Sequence, residues 1–195
     1  MRRSLVGLVS ATCLAALTST PVLAADVAAP GDRFSGFRFF DEVRIGLHAH
    51  NPGHDEGDSF DVSGQILTSP IFTAKTGNAF ADFFLNPRFH VGAMVNTRGW
   101  TNYVYSGVTW RADLTEKIFA ELEFGGAVND APSRPTPNRV DIGCSVTFHE
   151  TAGLGYRFTD RVSLLLDVDH VSHAGLCGGH NPGLTNVGLK LGYRF

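Results

Sequence analysis

The last thirty-five residues, 161–195, read RVSLLLDVDHVSHAGLCGGHNPGLTNVGLKLGYRF and carry the clearest pattern in the chain. Apolar residues alternate with small or polar ones over 187–195, and again over 162–168, where Asp167 and Asp169 take the opposite face. A period of two predicts β-strands with one apolar face. The next two residues on the apolar face of the first strand are His170 and Ser172. A base and a nucleophile therefore stand where aliphatic side chains are expected.

The amino-terminal segment has the features of a secretory signal peptide. Arg2 and Arg3 precede a mostly apolar run from Leu5 to Leu17, and Val22-Leu23-Ala24 fits a cleavage site. We therefore predict a signal peptide over residues 1–24 and a single domain over 25–195. The alternative is a transmembrane helix, but the apolar run is shorter than the about 20 residues that such a helix needs.

Charge and cysteine content narrow the class of protein further. The net charge is −3, and it is −5 without residues 1–24, which hold two arginines and no acidic residue. An acidic chain argues against nucleic acid as a partner. Cys144 and Cys177 remain after signal-peptide removal. In an exported protein they suggest one disulfide, with two free thiols as the alternative.

The alternation recurs along the whole domain. Eight segments show it, at about residues 42–49, 59–68, 88–95, 104–112, 117–124, 146–158, 162–172 and 187–195. Their length matches the nine to eleven residues that cross a bilayer at a tilt, so we predict an all-β, eight-stranded antiparallel transmembrane barrel. The polar face would be enclosed, where its charges can pair (Arg44, Arg111, Glu121, Glu123, Arg157, Asp167, Asp169, Lys190 and Arg194). A soluble, lipocalin-like barrel is the alternative.

Loop lengths give the barrel a direction. With both termini periplasmic, the short turns after strands four and six are periplasmic, and the longer loops after strands one, five and seven are extracellular. Residues 69–86 fit poorly, because they are rich in phenylalanine and have no clear period. They are expected to form an interfacial turn or a short helix.

His170 and Ser172 are predicted to face lipid at the extracellular end of strand seven. Two residues apart on a strand, they share a face about 7 Å apart along the chain. The tight turn after strand six predicts how strands six and seven pair: the residue numbers of two outward-facing partners add up to 320. Glu150 is therefore expected to lie opposite His170. Polar groups that face lipid cost free energy unless they are functional or lie at the headgroup level. The alternative to a functional pair is that His170 and Ser172 only mark the membrane interface. Glu150 could equally be an interfacial carboxylate.

The stretch His170-Val-Ser172-His-Ala-Gly175-Leu, followed by Asn181-Pro-Gly183 and the last strand, resembles the outer-membrane lipid A 3-O-deacylases of the PagL type, also called acyloxyacyl hydrolases. Their motif is His-x-Ser-Asn near the end of the seventh strand of an eight-stranded barrel. The resemblance implies a carboxylic ester hydrolase with His170 as base and Ser172 as nucleophile. Its partner would be lipid A of lipopolysaccharide in the outer leaflet, and its location the outer membrane of a Gram-negative cell.

The sequence departs from this family at two positions. The asparagine after the serine is His173, so the oxyanion would be bound by the imidazole N–H or by the Gly175 backbone. The family's acid on the last strand aligns with Thr185, which cannot ionise. We therefore expect Glu150 to orient and stabilise the imidazole, as the acid does in a serine triad, and Thr185 to matter little.

Six other histidines show no metal-ligand spacing (His48, His50, His54, His149, His173 and His180), and no cofactor motif is present. Neither a cofactor nor a metal is therefore predicted. Two other functions stay open: a non-catalytic structural or adhesive barrel whose loops bind, and a phospholipase that uses the same pair.

Overall fold

The computed structural model describes residues 36–178 and 180–195. The predicted signal peptide and the predicted start of the domain at residue 25 lie outside these residues. Within them are eight strands and one short helix. The strands are β1 (Glu42–His50), β2 (Ser59–Pro70), β3 (Arg88–Asn96), β4 (Tyr103–Asp113), β5 (Ile118–Asn129), β6 (Val146–Arg157), β7 (Val162–Ser172) and β8 (Leu184–Arg194), and α1 is Ala79–Leu85.

The strands form a closed barrel in sequence order, with every neighbouring pair antiparallel. Closure is completed by β1 and β8, from Glu42 opposite Arg194 to Ala49 opposite Val187. A closed barrel pairs every strand edge, which a bilayer requires because it offers no water to unpaired backbone groups. The predicted eight-stranded antiparallel barrel is confirmed. No helix of the described chain has the length and apolar character to cross a membrane.

The outer wall is apolar. Alternate residues of each strand project aliphatic and aromatic side chains outward, where Ile45 is 61 %, Val104 57 % and Leu166 55 % exposed. Such a surface would be unstable in water but is suited to hydrocarbon. The alternation seen in the sequence therefore sets which face of each strand meets lipid.

The barrel interior is polar and paired. Arg44 forms ion pairs with Glu42 and Glu121, and Lys190 lies 2.8 Å from an oxygen of Asp167. Charges taken out of water need such partners. The predicted enclosure and pairing of the polar face is confirmed.

The two ends of the barrel differ in loop length. One end has four-residue turns after β4 and β6 and the longer segment 71–87, which contains α1. The prediction of a turn or short helix in this segment is confirmed for Ala79–Leu85, where the Asn78 side chain caps the first turn by accepting from the amides of Phe80 and Ala81. At the other end, a disulfide joins Cys144 in the β5–β6 loop to Cys177 in the β7–β8 loop.

Candidate active site

The last outward-facing residues of β7 are His170 and Ser172. Both follow Leu166 and Val168 on the outer wall, and both are half-buried. The inward residues between them, Asp169 and Val171, are fully buried. The strand therefore carries the imidazole and the hydroxyl on the lipid-facing surface, at the end of the barrel with the longer loops.

The strand register places a carboxylate beside the histidine. Glu150 of β6 lies directly opposite His170, and Phe148 lies opposite Ser172. Glu150 is half-buried and also faces outward. The register deduced from the turn after β6 is therefore confirmed, and the carboxylate is a cross-strand neighbour of the imidazole.

The imidazole is oriented by β8 rather than by β6. His170 lies opposite Thr185, and its Nδ1 is 2.8 Å from the Thr185 hydroxyl oxygen. In the described part of the chain, Glu150 makes no hydrogen bond to His170. The expected orienting role of Glu150 is thus corrected: the ring turns toward the shorter Thr185 side chain, which can both donate and accept. Strand register alone cannot show this, because it does not determine side-chain rotamers.

Gly183 leaves the space that the imidazole of His170 occupies. A Cβ atom at this position would lie 2.7 Å from Cε1 and 3.0 Å from Nε2 of His170. The backbone φ of Gly183 is also positive, at 66°, in the region that favours glycine. The ring can occupy its place only because residue 183 has no side chain.

Ser172 is free to react. Among residues 36–178 and 180–195, its hydroxyl has no hydrogen-bond partner, and the Nε2 of His170 bonds no protein group. Catalytic hydrogen bonds are often long in the absence of substrate and form in the complex. Because Thr185 occupies Nδ1, Nε2 is the nitrogen that can accept the serine proton.

His173 does not serve as the expected oxyanion donor. Its side chain is buried, its Nε2 lies 3.0 Å from the backbone oxygen of His180, and its Nδ1 accepts from the amide of Cys177. Both ring nitrogens are thus used to fold the β7–β8 loop. This corrects the expectation for the imidazole N–H. Gly175 lies in the turn that follows, at φ 82°, and its backbone N–H makes no hydrogen bond within the described chain.

Two recesses flank the imidazole. On the outer wall, a groove of about 380 Å³ extends from His170 and Glu150 past Val168 and Ala152 to Trp110. Its far wall is α1, since Trp110 Nε1 donates to the backbone oxygen of Phe84 at 3.1 Å. Within the loops, a cavity of about 570 Å³ reaches Thr185 and Gly183, and is lined also by His54, Arg139 and His180. The groove is apolar, whereas the loop cavity carries charged and polar groups.

Glu56 holds the loops around this cavity together. Its carboxylate accepts from Thr101 N at 3.0 Å and Val140 N at 3.1 Å, pairs with Arg139, and lies 2.9 Å from His50 Nε2. Burial alone would raise the pKa of Glu56, but the hydrogen bonds outweigh it and lower the pKa to about 2. Three loops thus depend on one ionised carboxylate.

Comparison with known proteins identifies the family. Residues 89–194, more than half of the chain, match the sequence model of the family described as lipid A 3-O-deacylase (PagL). The chain belongs to the PagL family. The matched region runs from the second residue of β3 to the end of β8 and hence contains His170, Ser172, Glu150 and Thr185.

Solved structures agree with the PagL family on fold. The crystal structure of the outer membrane enzyme PagL matches with a TM-score of 0.59 at 15 % identity, covering 79 % of this chain and 99 % of that one. Neisserial surface protein A matches with a TM-score of 0.51 at 12 % identity, covering 82 % and 99 %. A designed transmembrane β-barrel matches at 0.50 and 12 %, covering 81 % and 97 %. No curated protein matches the chain in sequence.

Sequence reasoning missed the roles of Thr185 and Gly183. Thr185 shares the outward parity of His170 and aligns with the family's acid on the last strand, which was the signal for its place beside the ring. Gly183 was visible only as part of an Asn-Pro-Gly turn. The wall of the groove formed by α1 had no sequence signal beyond the phenylalanines of residues 69–86.

Proposed function

We propose that this protein is a serine esterase of the outer membrane that removes the 3-O-linked acyl chain from lipid A. The observation that carries the proposal is the outward placement of His170 and Ser172 at one rim of the barrel, with Nδ1 of the ring held by Thr185. Membership of a lipid A 3-O-deacylase family supports the substrate.

The chemistry follows from the free nitrogen of the ring. Nε2 of His170 takes the proton of the Ser172 hydroxyl as its oxygen attacks the ester carbonyl. The tetrahedral intermediate collapses as the bond to the sugar oxygen breaks, the imidazolium gives its proton to that oxygen, which leaves as a hydroxyl, and an acyl-serine remains. Water activated by the same ring then releases the 3-hydroxy fatty acid. In this scheme the carboxylate of Glu150 stabilises the imidazolium, Thr185 positions the ring, and the Gly175 N–H binds the oxyanion.

The two recesses fit the two parts of such a substrate. The acyl chain would lie in the groove bounded by Val168, Ala152 and Trp110, which opens to hydrocarbon. The polar headgroup would enter the loop cavity, where His54 and Arg139 offer partners for anionic oxygens. Lipid A would reach the site by lateral diffusion in the outer leaflet, so no channel through the barrel is needed.

The test is the mass of lipid A from cells that express the protein. We expect the loss of one 3-hydroxyacyl chain with the wild type and none with Ser172→Ala. Ser106→Ala is the matched control, because Ser106 also faces outward but lies on β4. Unchanged lipid A with a folded wild-type barrel would contradict the proposal and favour a structural or adhesive barrel. Loss of acyl chains from phospholipids alone would indicate a phospholipase.

A further inference from the structure

A second cluster of reactive side chains lies inside the barrel, on the opposite face of the sheet from His170. It consists of His90 on β3, Glu123 on β5 and His149 on β6, all buried. One potential ligand atom from each lies within 4.8 Å of the other two. The cluster is not used by the proposed ester hydrolysis and therefore needs its own explanation.

The sheet leaves room for this cluster. His90 lies opposite Gly107, Gly107 opposite Gly125, and Gly125 opposite His149. The two histidines are thus the ends of one row across four strands whose middle positions carry no side chains. Their ring centroids are 5.9 Å apart. Glu123 is the inward residue that comes two positions before Gly125 on β5.

Each ring has one buried nitrogen without a partner. Within the described chain, Nε2 of His90 and Nδ1 of His149 are both buried and make no hydrogen bond. Leaving a buried polar atom unpaired costs free energy, so such atoms call for an explanation. Two of them beside the carboxylate of Glu123 indicate a missing common partner.

In each ring, the nitrogen that has a hydrogen-bond partner carries the proton, so the unpartnered nitrogen carries a lone pair. Nε2 of His149 lies 2.7 Å from Asp169 Oδ2, and an ionised carboxylate can only accept, so the proton is on Nε2. Nδ1 of His90 lies 2.8 Å from the Thr109 hydroxyl, which in turn donates toward Glu123 at 3.5 Å. The proton of His90 is therefore on Nδ1. A second group that fixes the tautomer in this way is typical of metal-ligating histidines.

The carboxylate of Glu123 is held in place by its neighbours. Arg44 Nη1 lies 3.4 Å from Glu123, and Gln65 donates to both of its oxygens at 3.0 and 2.9 Å. These contacts fix the carboxylate beside the two imidazoles.

We propose that His90 Nε2, His149 Nδ1 and Glu123 form a binding site for one divalent transition-metal ion of the zinc class. Two imidazoles and a carboxylate are a donor set that zinc accepts, with water as a fourth ligand. The ion would join β3, β5 and β6 inside the barrel. Its role is structural, because the ester site lies on the other side of the wall.

The experiment is a titration of the full-length, detergent-folded barrel, first stripped with a chelator, with Co²⁺ as a spectroscopic probe and Zn²⁺ as competitor. We expect one Co²⁺ per chain with visible d–d absorption, displacement by Zn²⁺, and a rise in the thermal unfolding temperature with either ion. His90→Gln and His149→Gln should abolish the band. Asp169→Asn removes the charge that orients His149, while an amide oxygen can still accept from Thr151 and Tyr103, and it should weaken binding by about 10- to 100-fold.

His48→Gln is the matched control, because His48 is a buried interior histidine that pairs with Asp167 and is not one of the three clustered residues. It should bind Co²⁺ as the wild type does, and so should Ser172→Ala. Folding of each variant is checked by the gel shift of the unheated barrel. Absence of stoichiometric Co²⁺ binding by the folded wild type would overturn the proposal, as would equal loss of the band in His48→Gln.

Discussion

Replacing Thr185 by valine removes one hydroxyl while keeping the shape of the side chain, and it tests how the imidazole of His170 is oriented. The hydroxyl oxygen lies 2.8 Å from Nδ1, and both residues are half-buried. A neutral hydrogen bond of this kind contributes about 0.5 to 1.5 kcal/mol. If all of that is lost in the transition state, the rate falls by about 2- to 13-fold, at 1.36 kcal/mol per tenfold.

The assay is the initial rate of 3-hydroxy fatty acid release from lipid A in mixed micelles by the folded barrel. We expect Thr185→Val to lower kcat with little change in KM, because the contact orients a base and does not bind substrate. Thr185→Ser, which keeps the hydroxyl, should retain most of the activity. Glu150→Gln measures the carboxylate separately. Wild-type rates for Thr185→Val, together with a large loss in Glu150→Gln, would refute the reasoning and return the orienting role to Glu150.

Two further predictions concern the loops beside the site. Gly183→Ala places a methyl group 2.7 Å from the His170 ring and strains a backbone φ that is positive. We expect most of the activity to be lost from a barrel that still folds. A wild-type rate would mean that the ring can move aside. Because the pKa of Glu56 is lowered to about 2 by partners present only in the folded state, its contribution to stability is complete above about pH 4.5 and is lost as the pH falls toward 2. Unfolding temperatures measured across this range should fall for the wild type and change less for Glu56→Gln; parallel curves would contradict the assignment.

Much of the barrel could be predicted because a strand has only two faces. The alternation along 162–168 and 187–195 fixes which side chains face lipid, and the tight turn after β6 fixes the register that pairs Glu150 with His170. The lipid-facing side of each strand and the register of β6 and β7 depend on the backbone. Both can therefore be predicted from the spacing of residues along the sequence.

Side-chain direction and loop packing could not be predicted in the same way. The ring of His170 turns toward Thr185 rather than Glu150, although both are its direct neighbours. His173 turns into its own loop, where two backbone groups take up its nitrogens. Neither choice has a periodic signal, because each depends on a rotamer and on contacts made by distant segments.

The interior cluster shows a second limit. His90 and His149 are far apart in sequence and have no spacing that suggests a common ligand. They meet because three successive strand registers place them in one row, with glycines between. Only the complete set of registers, and not any single motif, brings them together.

On β7, Asp169 faces the interior and His170, its direct neighbour, faces the outside. Inserting or deleting one residue within the strand would exchange these two environments, so that carboxylates meet hydrocarbon while the base and nucleophile turn inward. A one-residue insertion or deletion in the middle of β7 should therefore impair both folding and activity, whereas a two-residue deletion should harm folding less because it keeps each side chain on its own face.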